Sequence, residues 1–323
     1  MVQAVTYISA VISLAMSAYM AWLILRRWRD ERTASRREAI QRDITRHYLQ
    51  HCAGGAQADE TAPKAAWSRA ARLQAVTHLL KLLRGEEGQR LLRLVESEGL
   101  FDAALVRTQN PRPTARVIAI RMLEGFGSRL CTDALATVMA TDPAPSVRLE
   151  AAGALARLDR LPSLRDTISL LNLYETPPTP LHRAIMRSLA PVRTPEILDV
   201  LDGDLPAQLR MLLIDALGWS GQLDVLATLC EASRDEHPLV RNAALQATAQ
   251  LGHAGRGEWV IAMLRDHDES VRARAAKVCS ALGLRQAIEE LLRLEQDSSR
   301  WVAMQAGQAL ARLKPAAPAQ KRA

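Results

Sequence analysis

The stretch Val240-Arg241-Asn242-Ala243-Ala244-Leu245-Gln246-Ala247 is one of several related copies in this chain. Val147-Arg148-Leu149-Glu150-Ala151-Ala152-Gly153-Ala154-Leu155 precedes it, and Val271-Arg272-Ala273-Arg274-Ala275-Ala276-Lys277-Val278 follows. Looser copies begin at Leu209-Arg210 and at Trp301-Val302-Ala303. Arg210, Arg241, Arg272 and Ala303 recur at one constant interval. A fixed period of that size builds stacked repeats, because one short unit cannot bury its own apolar face.

Each copy has helical spacing, as in Val240, Ala243, Ala244, Ala247 and Leu251. A second apolar helix follows the copies, for example Val225 to Leu229 or Trp259 to Leu264. The repeat is therefore a helical hairpin with a small-residue face that lets neighbours stack closely. Composition agrees: aromatics are 4% of the chain, with two Phe, whereas strands favour aromatic and β-branched residues.

A turn signal precedes most copies. Asp142, Asp204, Asp235 and Asp266 each stand at the same short distance before an arginine, namely Arg148, Arg210, Arg241 and Arg272. Asp297 keeps the place, but position 303 is Ala. Such an Asp can accept turn N–H groups or pair with the arginine. The ladder reads as structural rather than catalytic.

The turn Asp, the Val-Arg pair and the Ala-Ala-x-Ala-Leu-Gly run resemble the HEAT-repeat superfamily, in its short phycobilisome-lyase type. The resemblance covers about 113–313, with degenerate copies expected from Ala65 to Arg107. It implies an all-α solenoid, and such arrays serve mostly as binding scaffolds. The Pro-rich break Thr176 to Pro180 interrupts the helices, as an inter-helix connection or as an irregular binding loop.

The amino-terminal region reads differently. Val2 to Leu25 has no charged residue and is followed by Arg26, Arg27, Trp28 and Arg29. About 20 apolar residues cross a bilayer as a helix. A cleaved signal peptide would carry a positive n-region and a shorter apolar run, so a retained transmembrane anchor over 2–25 is expected. Arg26, Arg27, Arg29, Arg32, Arg36 and Arg37 place the following domain on the cytoplasmic side, beside anionic lipid headgroups. Tyr19, Trp22 and Trp28 sit where interfacial aromatics anchor. Ser9, Ser13, Ser17 and Ala21 form a small-residue stripe suited to helix–helix packing, in a homodimer or with another membrane protein. A basic juxtamembrane helix over 26–52, a flexible linker over 53–64, a HEAT-like array over 65–313 and a disordered basic tail over 314–323 complete the layout.

Net charge is +7, but its place matters. Residues 26–50 and the tail hold the surplus, and the body from 51 to 313 has as many acids as bases. Nucleic acid is therefore not the expected partner. Cys52, Cys131, Cys230 and Cys279 have no CxxC spacing and read as small core residues.

No catalytic, cofactor or metal site is expected. His47 and His51 are four apart beside Cys52, but no acidic third ligand accompanies them. The di-iron hydroxylase of this architecture carries repeated His-Glu pairs, and this chain has no such dipeptide. The expectation is a scaffold at the bacterial inner membrane, with its amino terminus outside and its solenoid in the cytoplasm, binding a protein partner. Its layout resembles accessory subunits of envelope or exopolysaccharide glycosyltransferase machinery. Two other classes stay open: a HEAT-like enzyme, either a lyase or a nucleic-acid-modifying one, and a self-assembling structural membrane protein.

Overall fold

The computed structural model describes residues 16, 19–20, 22, 26–28, 38–52, 67–83 and 85–313. Ser9, Ser13, Ser17, Ala21, Arg29, Arg32, Arg36 and Arg37 lie outside the described residues, as do the linker 53–64 and the tail 314–323. Among the described residues no helix is long and apolar enough to cross a membrane. Of the expected anchor, Tyr19 and Trp22 stack with ring centroids 6.0 Å apart, and Arg26 lies 5.3 Å from the Trp22 ring.

Every element described is helical, and the helices fall into two compact units. The first comprises Met1–Arg107 with Gly125–Ser128. It contains α1 (38–52), α2 (Arg69–Leu82), α3 (Glu86–Ser97) and α4 (Asp102–Arg107). Ile44, Tyr48 and Cys52 recur at every fourth position on α1 and are all buried, as an amphipathic helix requires. The Tyr48 hydroxyl donates to Glu98 Oε2 at 2.8 Å, and Arg72 donates to the same oxygen at 3.0 Å. Phe101 and Phe126 close the unit with rings 4.6 Å apart. The helices over 69–107, read from the sequence as degenerate repeats, thus group with α1.

The second unit comprises Thr108–Glu124 and Arg129–Ala323. One set of helices carries the repeat motif: α5 (Pro113–Glu124), α7 (Pro145–Arg157), the first part of α9 (Pro180–Leu201), α10 (Ala207–Leu217), α12 (Pro238–Leu251), α14 (Glu269–Ala281) and α16 (Arg300–Leu313). A second set alternates with it: α6 (Arg129–Thr141), α8 (Leu164–Leu170), α11 (Leu226–Ala232), α13 (Glu258–Ala262) and α15 (Ile288–Leu294). The motif helices begin with local signals. Pro145 and Pro238 occupy first-turn positions, and Asp268 accepts the N–H groups of Ser270 and Val271. Gly252 ends α12 at φ 72°, the left-handed conformation that glycine adopts without penalty.

Small side chains set the spacing. At Gly218 an added Cβ would stand 2.6 Å from the Ala247 Cα, so α10 and α12 touch almost backbone to backbone. Motif helices contact one another closely along α9, α10, α12, α14 and α16, whereas the alternating helices share far fewer contacts. The motif helices thus form the closely stacked layer of this row. Leu245, Val260, Leu264, Val271, Leu291 and Leu310 fill the space between the two layers. Each such side chain contributes about 1.5–3 kcal/mol on burial.

The hairpin at 158–203 is irregular. α9 bends at Arg193, whose φ of −113° and ψ of 26° are not helical, between Pro191 and Pro195. The bent helix supplies both the motif helix and the alternating helix of this repeat. Residues 176–179 form the connection before it, with Thr179 as the N-cap and Pro180 as the first helical residue.

Candidate interaction surface

The repeated aspartates and arginines are the first residues to place. Arg241 Nε and Nη2 donate to Asp266 Oδ2 and Oδ1, both at 2.8 Å. Arg210 holds Asp235 the same way at 2.9 and 3.1 Å, and Arg272 holds Asp297 at 2.8 and 2.9 Å. Each carboxylate is therefore taken by an arginine of the preceding motif helix, always at the same interval along the chain. The arginine that follows the Asp in its own repeat turns to the backbone instead. Arg241 Nη1 donates to the Asp235 carbonyl at 2.9 Å, Arg272 to that of Asp266 at 2.9 Å, and Arg148 to that of Asp142 at 3.1 Å.

The turn function is also realised. Asp142, Asp235, Asp266 and Asp297 each accept the N–H two positions on, at 2.8 Å. One carboxylate thus fixes its own turn and ties that turn to the previous hairpin. The bond from Arg272 holds the Asp297 carboxyl below its usual range. Bidentate pairs of this kind are the stronger charge-assisted bonds. Arg116 extends the ladder backward, donating to Asp142 at 2.7 and 2.8 Å, a pairing that the sequence reading did not include.

The ladder is interrupted once. Asp204 is exposed and takes no arginine among the described residues. At the ladder interval before it stands Thr179, which carries no charge. Among the described residues Arg148 has no carboxylate partner, and its buried Nε lacks a hydrogen bond. At the same interval beyond Arg148 stands Leu173, itself buried. In this irregular hairpin Arg193 takes over, donating to the carbonyls of Pro162 and Leu161 at 2.6 and 2.9 Å.

A polar group missed by sequence reading lies on the motif helices. Asp215 sits within the apolar run of α10, its side chain 7% exposed. Arg187 of α9 donates to it from Nε and Nη2 at 2.8 Å, and Arg183 Nε stands 3.9 Å away. The Arg187 guanidinium also lies 5.3 Å from the Trp219 ring, a cation–π distance. On α14, Arg274 Nε donates to Asn242 Oδ1 at 2.9 Å and Nη1 to Gln246 Oε1. The one legible signal was a lone acid inside Met211–Leu217.

The same helices, and the turn that follows α10, expose large apolar groups. Trp219, Leu239, Trp301 (48%) and Met304 (50%) are open to solvent. Leu239 and Trp301 occupy the same motif position two periods apart. In the first unit a groove of about 860 Å³ is lined by residues including Gln41, Thr45, Leu49 and His78.

His47 and His51 have rings 4.3 Å apart, with His51 Nδ1 2.8 Å from the His47 carbonyl. Among the described residues no group of three or more His, Cys, Asp or Glu is placed to hold a metal ion. Cys52, Cys131 and Cys279 are buried, and burial pushes the Cys279 thiol up to about 12.

Solved structures give likenesses at low identity. Human deoxyhypusine hydroxylase in complex with glycerol aligns at 17% identity over 85% of this chain and 97% of its own, with a TM-score of 0.30. The complex of CpcE and CpcF of phycocyanin lyase from Nostoc sp. PCC7120 aligns at 22% identity over 66% and 94%, with a TM-score of 0.33. No curated protein matches. The family model for HEAT repeats matches residues 257–321, the stretch that holds α13, α14, α15 and α16.

Proposed function

We propose that this chain is a membrane-anchored scaffold that binds a protein partner through the stacked motif helices of its repeat unit. The observation that carries the reading is the exposure of Leu239, Trp301 and Met304 on those helices and of Trp219 just after α10, where Arg187 joins the Trp219 ring to Asp215. Interfaces combine exposed aromatic and Met side chains with arginine in this way. HEAT repeats at 257–321 support the same reading, because stacked repeats serve as extended binding surfaces.

The anchor is the second part of the proposal. The uncharged run Val2–Leu25 and its arginine flank would fix the repeat unit to the cytoplasmic face of a bacterial inner membrane. The finer expectation is an accessory subunit of an envelope or exopolysaccharide glycosyltransferase complex, without an enzymatic activity of its own.

Crosslinking in cells, followed by purification of the full-length chain from native membranes, tests both parts. The account expects a reproducible protein partner, and recovery of the chain in the membrane fraction after alkaline carbonate washing. A chain washed off the membrane would overturn the anchor. A chain recovered without any crosslinked protein would overturn the scaffold.

A further inference from the structure

The charges on the motif helices are not balanced where they lie. Across α10, α12 and α14 the acids are Asp215 and Glu269, and Glu269 stands at the N-terminal end of α14. Asp215 is shared between Arg187 and Arg183. Among the described residues Arg274, on α14, bonds only the neutral amide oxygens of Asn242 and Gln246. Burial lowers its pKa from the ordinary arginine value, and the charge of Asp215 opposes that shift. Lys277 is exposed, one turn further along α14. It occupies the motif position that Gln246 and Asp215 hold one and two periods earlier, and among the described residues it makes no ion pair.

Three arginines thus face one carboxylate, and one of them, Arg274, is partly dehydrated without an anion of its own among the described residues, while Lys277 adds an exposed cation on the same helix. A guanidinium withdrawn from water is costly unless an opposite charge meets it. Amide oxygens orient the Arg274 fork but do not neutralise it. Trp219 stands at the other end of the group, against Arg187.

We propose that this face of α9, α10, α12 and α14 receives an acidic segment of the partner protein, with Arg274, Lys277 and Arg183 taking its carboxylates and Trp219 packing against its apolar side chains. The proposal rests on the scaffold reading and gives the partner its chemistry. A peptide fits the surface better than a nucleic acid does. The cations are few and already share a carboxylate, whereas nucleic-acid binding neutralises phosphates along a basic stripe. Arginine forks also suit planar carboxylates in particular.

The test uses the full-length chain in lipid nanodiscs and a dye-labelled Glu-rich peptide, read by fluorescence anisotropy, with its Gln counterpart as control. The acidic peptide should bind and weaken as salt is raised, and the Gln peptide should not bind. Arg274→Gln should lower affinity about tenfold or more. The double variant Arg183→Gln/Lys277→Gln should do the same, and both of its sites are exposed and clear of the core. Arg293→Gln on α15 should change nothing. No binding, or binding that both variants leave intact, would overturn the proposal. Equal binding of a single-stranded oligonucleotide, weakened by the same variants, would also overturn it by making the face a general polyanion surface. A partner crosslinked in cells equally well to the Arg274→Gln chain would sink the acidic segment and leave the scaffold standing. Loss of every partner from the wild-type chain would instead remove the scaffold itself.

Discussion

The hairpins after residue 204 and the hairpin at 158–203 use the same helical parts but join them differently. In the later region each turn Asp accepts the backbone N–H two positions on and an arginine from the preceding motif helix, as in Asp235, Asp266 and Asp297. At the borders of the earlier one, among the described residues, Arg148 has no carboxylate and Asp204 no arginine, and within it α9 bends at Arg193 between two prolines. Side-chain bonds from one hairpin to the next supplement the apolar contacts, and they can lapse for one repeat when local packing substitutes.

The largest loss is expected from Arg241→Ala. Its side chain is 4% exposed and holds Asp266, the carbonyls of Asp235 and Glu236, and His267. Removing it strands a buried carboxylate, and urea unfolding should show a loss of about 3–5 kcal/mol. A loss below about 1 kcal/mol would mean that the ladder is ornamental.

Glycine substitutions test the stacking. Gly218→Ala would push a methyl group to 2.6 Å from the Ala247 Cα and 2.9 Å from its carbonyl oxygen. Overpacking of that kind costs about 1–3 kcal/mol. Gly153→Ala on α7 meets only the end of Arg157 at 3.3 Å and Ile185 at 3.8 Å. That change should be neutral or raise stability by up to about 1 kcal/mol, through helix propensity. The opposite order in melting experiments would contradict the close approach of α10 and α12.

Arg148→Ala gives the counterpart to Arg241→Ala. It removes one bond to the Asp142 carbonyl and an unsatisfied Nε, so the loss should be about 1 kcal/mol or less. Parity with Arg241→Ala would erase the distinction between the two regions.

The smallest effect concerns pH. The Thr179 N–H donates to His182 Nδ1 at 2.9 Å, and the His182 N–H donates to the Thr179 hydroxyl oxygen, closing a capping box at the start of α9. The accepting Nδ1 must be unprotonated, and burial lowers the His182 pKa below 6.5. The unfolded chain then binds the proton first, so this contribution is whole above 6.5 and is lost as pH falls below it. His182→Gln keeps an acceptor at the same place and should flatten that part of the melting-temperature profile. An unchanged slope would assign the pH dependence to other groups.

Much of the repeat unit could be read in advance. The constant interval between copies marks the motif helices, and the apolar runs at Val225–Leu229 and Trp259–Leu264 fall on the alternating ones. The arginine partner of each Asp was less accessible. A bond between neighbouring hairpins depends on stacking register, and the short Asp-to-Arg spacing pointed within the hairpin. The longer interval from Arg210 to Asp235, or from Arg241 to Asp266, is equally regular but needs the stack to give it meaning. Asp215 was hidden because an acid in an apolar run names no partner, and Arg187 belongs to the helix whose motif is weakest. The helices over 69–107 follow α1 because Tyr48, Arg72 and Glu98 meet there, a contact that no repeat pattern announces.

The proposed scaffold would receive its partners on the motif helices and not on the alternating ones. A photo-reactive amino acid at Gln246, exposed on α12, should capture the partner in intact cells, and the same residue at Glu289, exposed on α15, should not. Capture from position 289 with none from 246 would contradict the claim.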